Sequence, residues 1–167
     1  DSILCIDRAL QIDPDFAEAW SNKGAIVLAS EKPEKSLQYF DRAIDIDSEY
    51  TEAWANKGSA LYEMGRFEES VECLDEALAL KKDKVLFNSK GWALLGDDNP
   101  DEAIKAFEEA ISLDQNYAEA WNNLGLAYSR NEEFADAFDS HERALAIAPK
   151  FEDARKNRDA AQRRIEH

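Results

Sequence analysis

The 167-residue chain is poor in the residues that interrupt secondary structure, with four prolines and six glycines. So few breakers argue against a turn-rich all-β fold and leave room for long helices. No apolar run approaches the 18 residues a membrane-crossing helix needs, and there is no secretory leader pattern. Only two cysteines occur, Cys5 and Cys73, 68 positions apart. They fall at the same place in an internal repeat, two repeats apart, on helices too distant to touch. A disulfide between them is not expected, and a reducing, cytoplasmic setting is. Basic residues are scarce as well: 20 against 36 acidic, a formal charge of −16. That balance repels phosphate backbones and acidic lipid surfaces, so neither nucleic acid nor membrane is an expected partner. The deficit is uneven: residues 150–167 carry +2 and the remainder −18.

What is present is a repeated octapeptide. AEAWSNKG at 17–24 returns as TEAWANKG at 51–58 and AEAWNNLG at 118–125, with a weaker copy, KVLFNSKG, at 84–91. The closing glycines, Gly24, Gly58, Gly91 and Gly125, are spaced by 34, 33 and 34 residues. A period of that size marks an array in which each unit packs on its neighbours. Apolar residues make up 44% of the chain, enough for a continuous core and too many for disorder.

Within each period the pattern reads as two helices. Trp20, Gly24 and Val27 share one face of a helix over 17–30, and Pro33 suits the first turn of the next. Leu37, Phe40, Ala43 and Ile44 form that helix's apolar face. Gly65 fits a helix C-terminus, and Asn99-Pro100-Asp101-Glu102 reads as an N-cap, a first-position proline and acids in the first turn. Residues 1–13 match the second helix of a unit, which fits a piece of a longer chain lacking its preceding helix. Residues 152–166 read as a charged closing helix.

Taken together these residues resemble the tetratricopeptide repeat. The fourth unit carries the family's marks at Trp121, Leu124-Gly125, Tyr128, Ala137, Ala144 and Pro149, with His141 at a usual aromatic position. The first matches at Trp20, Gly24, Phe40 and Ala43, the second at Trp54, Gly58 and Ala77, the third at Gly91, Ala103, Phe107 and Ala110. The resemblance implies an all-α fold, an α-α superhelix (solenoid) of antiparallel helix pairs. Four full units would span 17–50, 51–83, 84–117 and 118–151, flanked by a second helix over 1–16 and a capping helix over 152–167. The glycines would face the small residues Ser36, Ser70, Ala103 and Ala137. Lysine (Lys23, Lys57, Lys90) stands where the family has leucine, with a stem expected between helices and an ammonium in water.

The resemblance also implies where function sits: on the concave wall built from the first helix of each pair, helix A. Its matching positions include Glu18, Ser21 and Asn22, then Glu52, Asn56 and Tyr62, then Asn88, Trp92 and Leu95, and then Glu119, Asn122, Asn123, Leu126 and Arg130. Asparagine recurs at one position (Asn22, Asn56, Asn123), where an amide serves a peptide backbone or bonds locally between helices. Tyr62, Trp92, Leu95 and Leu126 are the apolar candidates, and an exposed aromatic is a typical anchor. The lysine-asparagine-arginine clamp that some relatives use for chaperone tails is not matched, since only Asn56 remains of it. No catalytic set, cofactor loop or metal-ligand cluster is found; Asp45, Asp47 and Glu49 lack the glycine and final glutamate of a calcium loop. His141 reads as core. The expectation is a non-catalytic scaffold for a protein or peptide. The alternatives are the recruiting arm of a larger enzyme, or association of copies through the open N-terminal helix.

Overall fold

The computed structural model describes residues 2–30 and 32–167; Asp1, which opens the expected first helix, and Glu31 lie outside the described residues. Ten helices and no strands form among them. They gather into two compact units, Asp1–Lys82 and Asp83–His167.

The first unit contains α1 (Ser2–Ile12), α2 (Ala17–Leu28), α3 (Pro33–Ile46), α4 (Thr51–Glu63) and α5 (Phe67–Leu80). Helices α2 and α3 form one antiparallel hairpin and α4 and α5 the next, with α1 packed on α2 and α2 on α4. The second unit contains α6 (Lys84–Gly96), α7 (Pro100–Leu113), α8 (Ala118–Arg130), α9 (Phe134–Ile147) and α10 (Glu152–Ile165). It repeats the arrangement, α6 with α7 and α8 with α9, and α10 closes it against α9 and α8. Helix α2 is shorter than the expected 17–30: the turn begins at Ala29. Pro33 and Pro100 both open their helices, as a residue without an amide hydrogen should. Asn99 stands at the cap position of α7, yet its side chain makes no cap bond.

At Gly58 the expected small residue, Ser70, does stand across the contact, but at Gly24, Gly91 and Gly125 the nearest atoms belong to rings. A Cβ on Gly24 would stand 2.5 Å from the Phe40 ring, one on Gly91 2.4 Å from Phe107, and one on Gly125 2.5 Å from His141. Each glycine therefore opens a slot for a ring of the second helix (helix B). Gly58 is looser, with Leu74 Cγ 3.0 Å from the same point. Ser36, Ser70, Ala103 and Ala137 are fully buried, and Ser70 Oγ donates to the Gly58 carbonyl at 2.8 Å. This satisfies a hydroxyl that would otherwise be costly to bury.

The tryptophans hold the turns between repeats. Trp20 Nε1 donates to Pro14 O at 2.8 Å, Trp54 Nε1 to Ser48 O at 3.0 Å, and Trp121 Nε1 to Gln115 O at 3.0 Å. The same turns are bent by aspartates: Asp13, Asp47 and Asp114 each accept from the backbone N–H two residues on. Asp47, one of the calcium-loop mimics, thus serves a turn. Arg155 takes the tryptophan's role at the last turn, donating to Pro149 O at 2.8 Å. No described helix is long and apolar enough to cross a membrane. Both cysteines are free, Cys5 exposed and Cys73 buried.

Candidate functional site

The A helices are α2 and α4 in the first unit and α6 and α8 in the second; α10 follows them in the same register. Each carries its large residues inward, so what remains outside is a short set of polar and aromatic side chains.

In the first unit, Glu18, Asn22 and Glu52 are exposed, Asn56 is half-buried, and Tyr62 is 37% exposed. Tyr62 leans on Phe67, with ring centroids 5.4 Å apart. Asn56 Nδ2 donates to Ser21 Oγ at 3.3 Å. Ser21, expected on the open wall, is buried and serves as that acceptor. The neighbouring Tyr50 phenol is held above its usual range by burial first, then by Glu52 and Glu18, so this end of the surface is negative.

In the second unit, Trp92 is 36% exposed and Val85, two helical turns earlier on α6, is 51% exposed. Leu126 and Asn88 are half-buried, and Arg130 is exposed at the end of α8. Three expected wall residues are not on the surface. Leu95 is 5% exposed and belongs to the interior, because α7 and α8 both pack on α6. Asn122 and Asn123 are each 5% exposed. Asn123 Nδ2 donates to Asn88 Oδ1 at 2.8 Å, and Asn157 Nδ2 on α10 donates to Asn122 Oδ1 at 3.1 Å. His141 also bonds that oxygen from behind.

The asparagines therefore form rungs between A helices. Every rung joins residues 35 apart, an amide on the later helix to an acceptor on the earlier one. Of the recurring asparagines, Asn56 and Asn123 bond locally between helices, while Asn22 is exposed. Asn157 was missed in the sequence, although it sits 34 residues after Asn123 and continues the series. Among the described residues no group of three or more His, Cys, Asp or Glu could hold a metal ion.

Repeated antiparallel helical hairpins, three with a glycine slot for a ring of the second helix and three with a tryptophan clamp on the preceding turn, define a helical-repeat protein. The chain belongs to the tetratricopeptide repeat family. Models of that repeat match residues 15–83, 99–132 and 118–151. The tetratricopeptide repeat domain-containing protein PYG7, chloroplastic, of Arabidopsis thaliana is 36% identical over 80 residues, which are 48% of this chain and 27% of that protein. The matched stretch is thus about a quarter of the relative's length. Among solved structures, YrrB, described as a TPR protein with an unusual peptide-binding site, superposes with a TM-score of 0.80. It is 20% identical, over 96% of this chain and 84% of its own. MamA superposes with a TM-score of 0.81 at 23% identity, over 89% and 87% of the two chains. The first TPR of Spaghetti (RPAP3), bound to an HSP90 peptide, gives 0.68 at 19% identity, over 72% and 97%. The fold class is all-α, a helical repeat of the α-α superhelix class.

Proposed function

We propose that the chain is a non-catalytic scaffold that binds a segment of another protein against the exposed faces of its A helices. The observation that carries this reading is Trp92, a large aromatic 36% exposed on a helix that buries Leu94 and Leu95, with the exposed Val85 two turns away on the same face. Burying such a ring in a partner supplies the kind of central contact that dominates interface energy. Leu126 and Asn88 flank it, the latter with an amide N–H not used in its rung. In the first unit, Tyr62 with Asn22, Glu18 and Glu52 offers a second, more acidic surface suited to basic or amphipathic segments. Interaction is also the general role of this family, and two structural neighbours are described with peptide sites or peptides bound. Recovery of partners by wild-type chain against Trp92→Ala, with thermal unfolding as the control, tests the reading. Loss of recovered partner with an unchanged Tm supports it; equal recovery contradicts it.

A second reading is association of copies through α1, where Ile3, Leu4 and Ile12 are exposed. Sedimentation over a concentration series tests it, and a strict monomer at high concentration contradicts it.

A further inference from the structure

The same side-chain arrangement recurs beside Trp20, Trp54 and Trp121, and its filling differs in the last of them. In the first unit, Lys23 and Lys57 stand three residues after Trp20 and Trp54. Each ammonium lies 5.7 Å from the centroid of that tryptophan ring. Each is also bound to an aspartate sixteen residues earlier, on the preceding helix B: Lys23 Nζ to Asp7 and Lys57 Nζ to Asp41, both at 2.7 Å. The lysine side chains are only 21% and 25% exposed. The outer groove between successive B helices is thus a place where an ammonium rests between an indole face and a carboxylate.

In the fourth repeat the lysine is replaced by Leu124, which turns into the core. The rest of the arrangement persists: Trp121 is three residues before Leu124, and Glu108 sixteen before. Between α7 and α9 this leaves a groove of about 1190 Å³, against about 460 Å³ for the one beside Lys57. Trp121 and Tyr128 line it, with Glu108, Asp136 and Asp139, and Arg143 as the one cation. No ion pair to Glu108, Asp136 or Asp139 forms among the described residues. Burial and the charges of Glu108 and Asp136 hold the Tyr128 phenol above its usual range, which shows the sign of the local field.

We propose that the groove between α7 and α9, floored by Trp121 and Tyr128 of α8, is a second binding site, and that it takes a lysine side chain of a partner polypeptide. The incoming ammonium lies over Trp121 and against Glu108, as Lys57 lies over Trp54 and against Asp41. The chain's own lysines are the template for the ligand. The occupant is cationic because the site keeps the indole and a carboxylate, Glu108, whose hydrogen-bond partner is the neutral Tyr128 hydroxyl rather than a cation. This site stands independently of the Trp92 surface.

The test is a titration of the full chain with the peptide acetyl-Gly-Lys-Gly-Lys-Gly-amide, followed by the four indole N–H signals in nitrogen-15 NMR. The expected result is movement of the Trp121 signal, with Trp20 and Trp54 unmoved because their grooves hold their own lysines. The same peptide with norleucine for lysine moves none of them. Leu124→Lys, which refills the groove from within, weakens the Trp121 response by about tenfold. Glu108→Gln weakens it by roughly threefold, and serves alone if the first variant does not fold. Trp20 and Trp54 moving as far as Trp121 would mean diffuse attraction to an acidic chain and overturn the proposal. So would a Glu108→Gln variant that binds as the wild type does.

Discussion

His141 Nδ1 on α9 lies 3.1 Å from Asn122 Oδ1 on α8, so the imidazole keeps its proton on Nδ1 and donates it across the hairpin. Its Nε2 is buried without a hydrogen-bond partner. Burial pushes the imidazole pKa down from 6.5 to about 4. The unfolded chain therefore takes up a proton near pH 6.5 and the folded chain only near pH 4. Stability from this residue is full above pH 7 and is lost as the pH falls through that window, about 3 kcal/mol in all. His141→Phe copies Phe40 and Phe107, which fill the same slot in other repeats. Urea unfolding at pH 7 and pH 4.5 should show the wild type losing about 2 kcal/mol more than the variant. Equal losses would place the proton elsewhere.

The glycine slots differ in tightness, and alanine substitution should rank them. In Gly91→Ala the new methyl would meet the Phe107 ring, which is itself fully buried and has nowhere to go. The cost should be about 1–3 kcal/mol despite the better helix propensity of alanine. In Gly58→Ala the neighbour is the branched end of Leu74, and the propensity gain should roughly offset the crowding. Denaturant midpoints of the two variants decide the order.

Among the described residues, three helix-to-helix turns pass through left-handed backbone, at Gly65 (φ 73°), Asp98 (φ 55°) and Glu132 (φ 62°). Only the first has the residue suited to it. Glu132→Gly should stabilise by about 1 kcal/mol, and Asp98→Gly by less, since a short polar side chain tolerates this region better. Gly65→Ala should cost a similar amount, although no atom lies within 4 Å of its added methyl. Thermal melts of the three variants check the signs.

The rung from Asn123 to Asn88 is the shortest of the three, at 2.8 Å. Asn123→Ala and Asn88→Ala should each destabilise, and the double variant should cost less than their sum by about 1 kcal/mol. A double-mutant cycle in urea measures that coupling.

The hairpins were legible because tryptophan and glycine recur at a fixed period together with the apolar pattern of two helices. The direction of a side chain on helix A was legible too, but not whether a neighbour covers it. Leu95 and Asn122 occupy wall positions by helical angle, yet they are enclosed by the helices that follow. Asn122 is covered because α10 brings Asn157 to it, a consequence of a third helix. The recurring lysine shows the same limit. At Lys23 and Lys57 the side chain is largely covered, as expected of a stem between helices, and the ammonium ends on a carboxylate sixteen residues upstream. That partner sits on another repeat's helix, which a single-helix pattern does not reveal. The small residue expected opposite glycine is found at Gly58, which meets Ser70, but three of the glycines meet rings, because a missing Cβ is worth most there.

Partner binding along the exposed face of the A helices at Trp92 is tested most directly by a photoactivatable benzophenone side chain at position 92, and in a second chain at Gln38, exposed on helix α3 and outside both proposed surfaces. Both chains are irradiated with the same partner mixture. The expected result is a crosslinked product from position 92 and little from position 38. Crosslinks from 38 that equal or exceed those from 92 would contradict the reading.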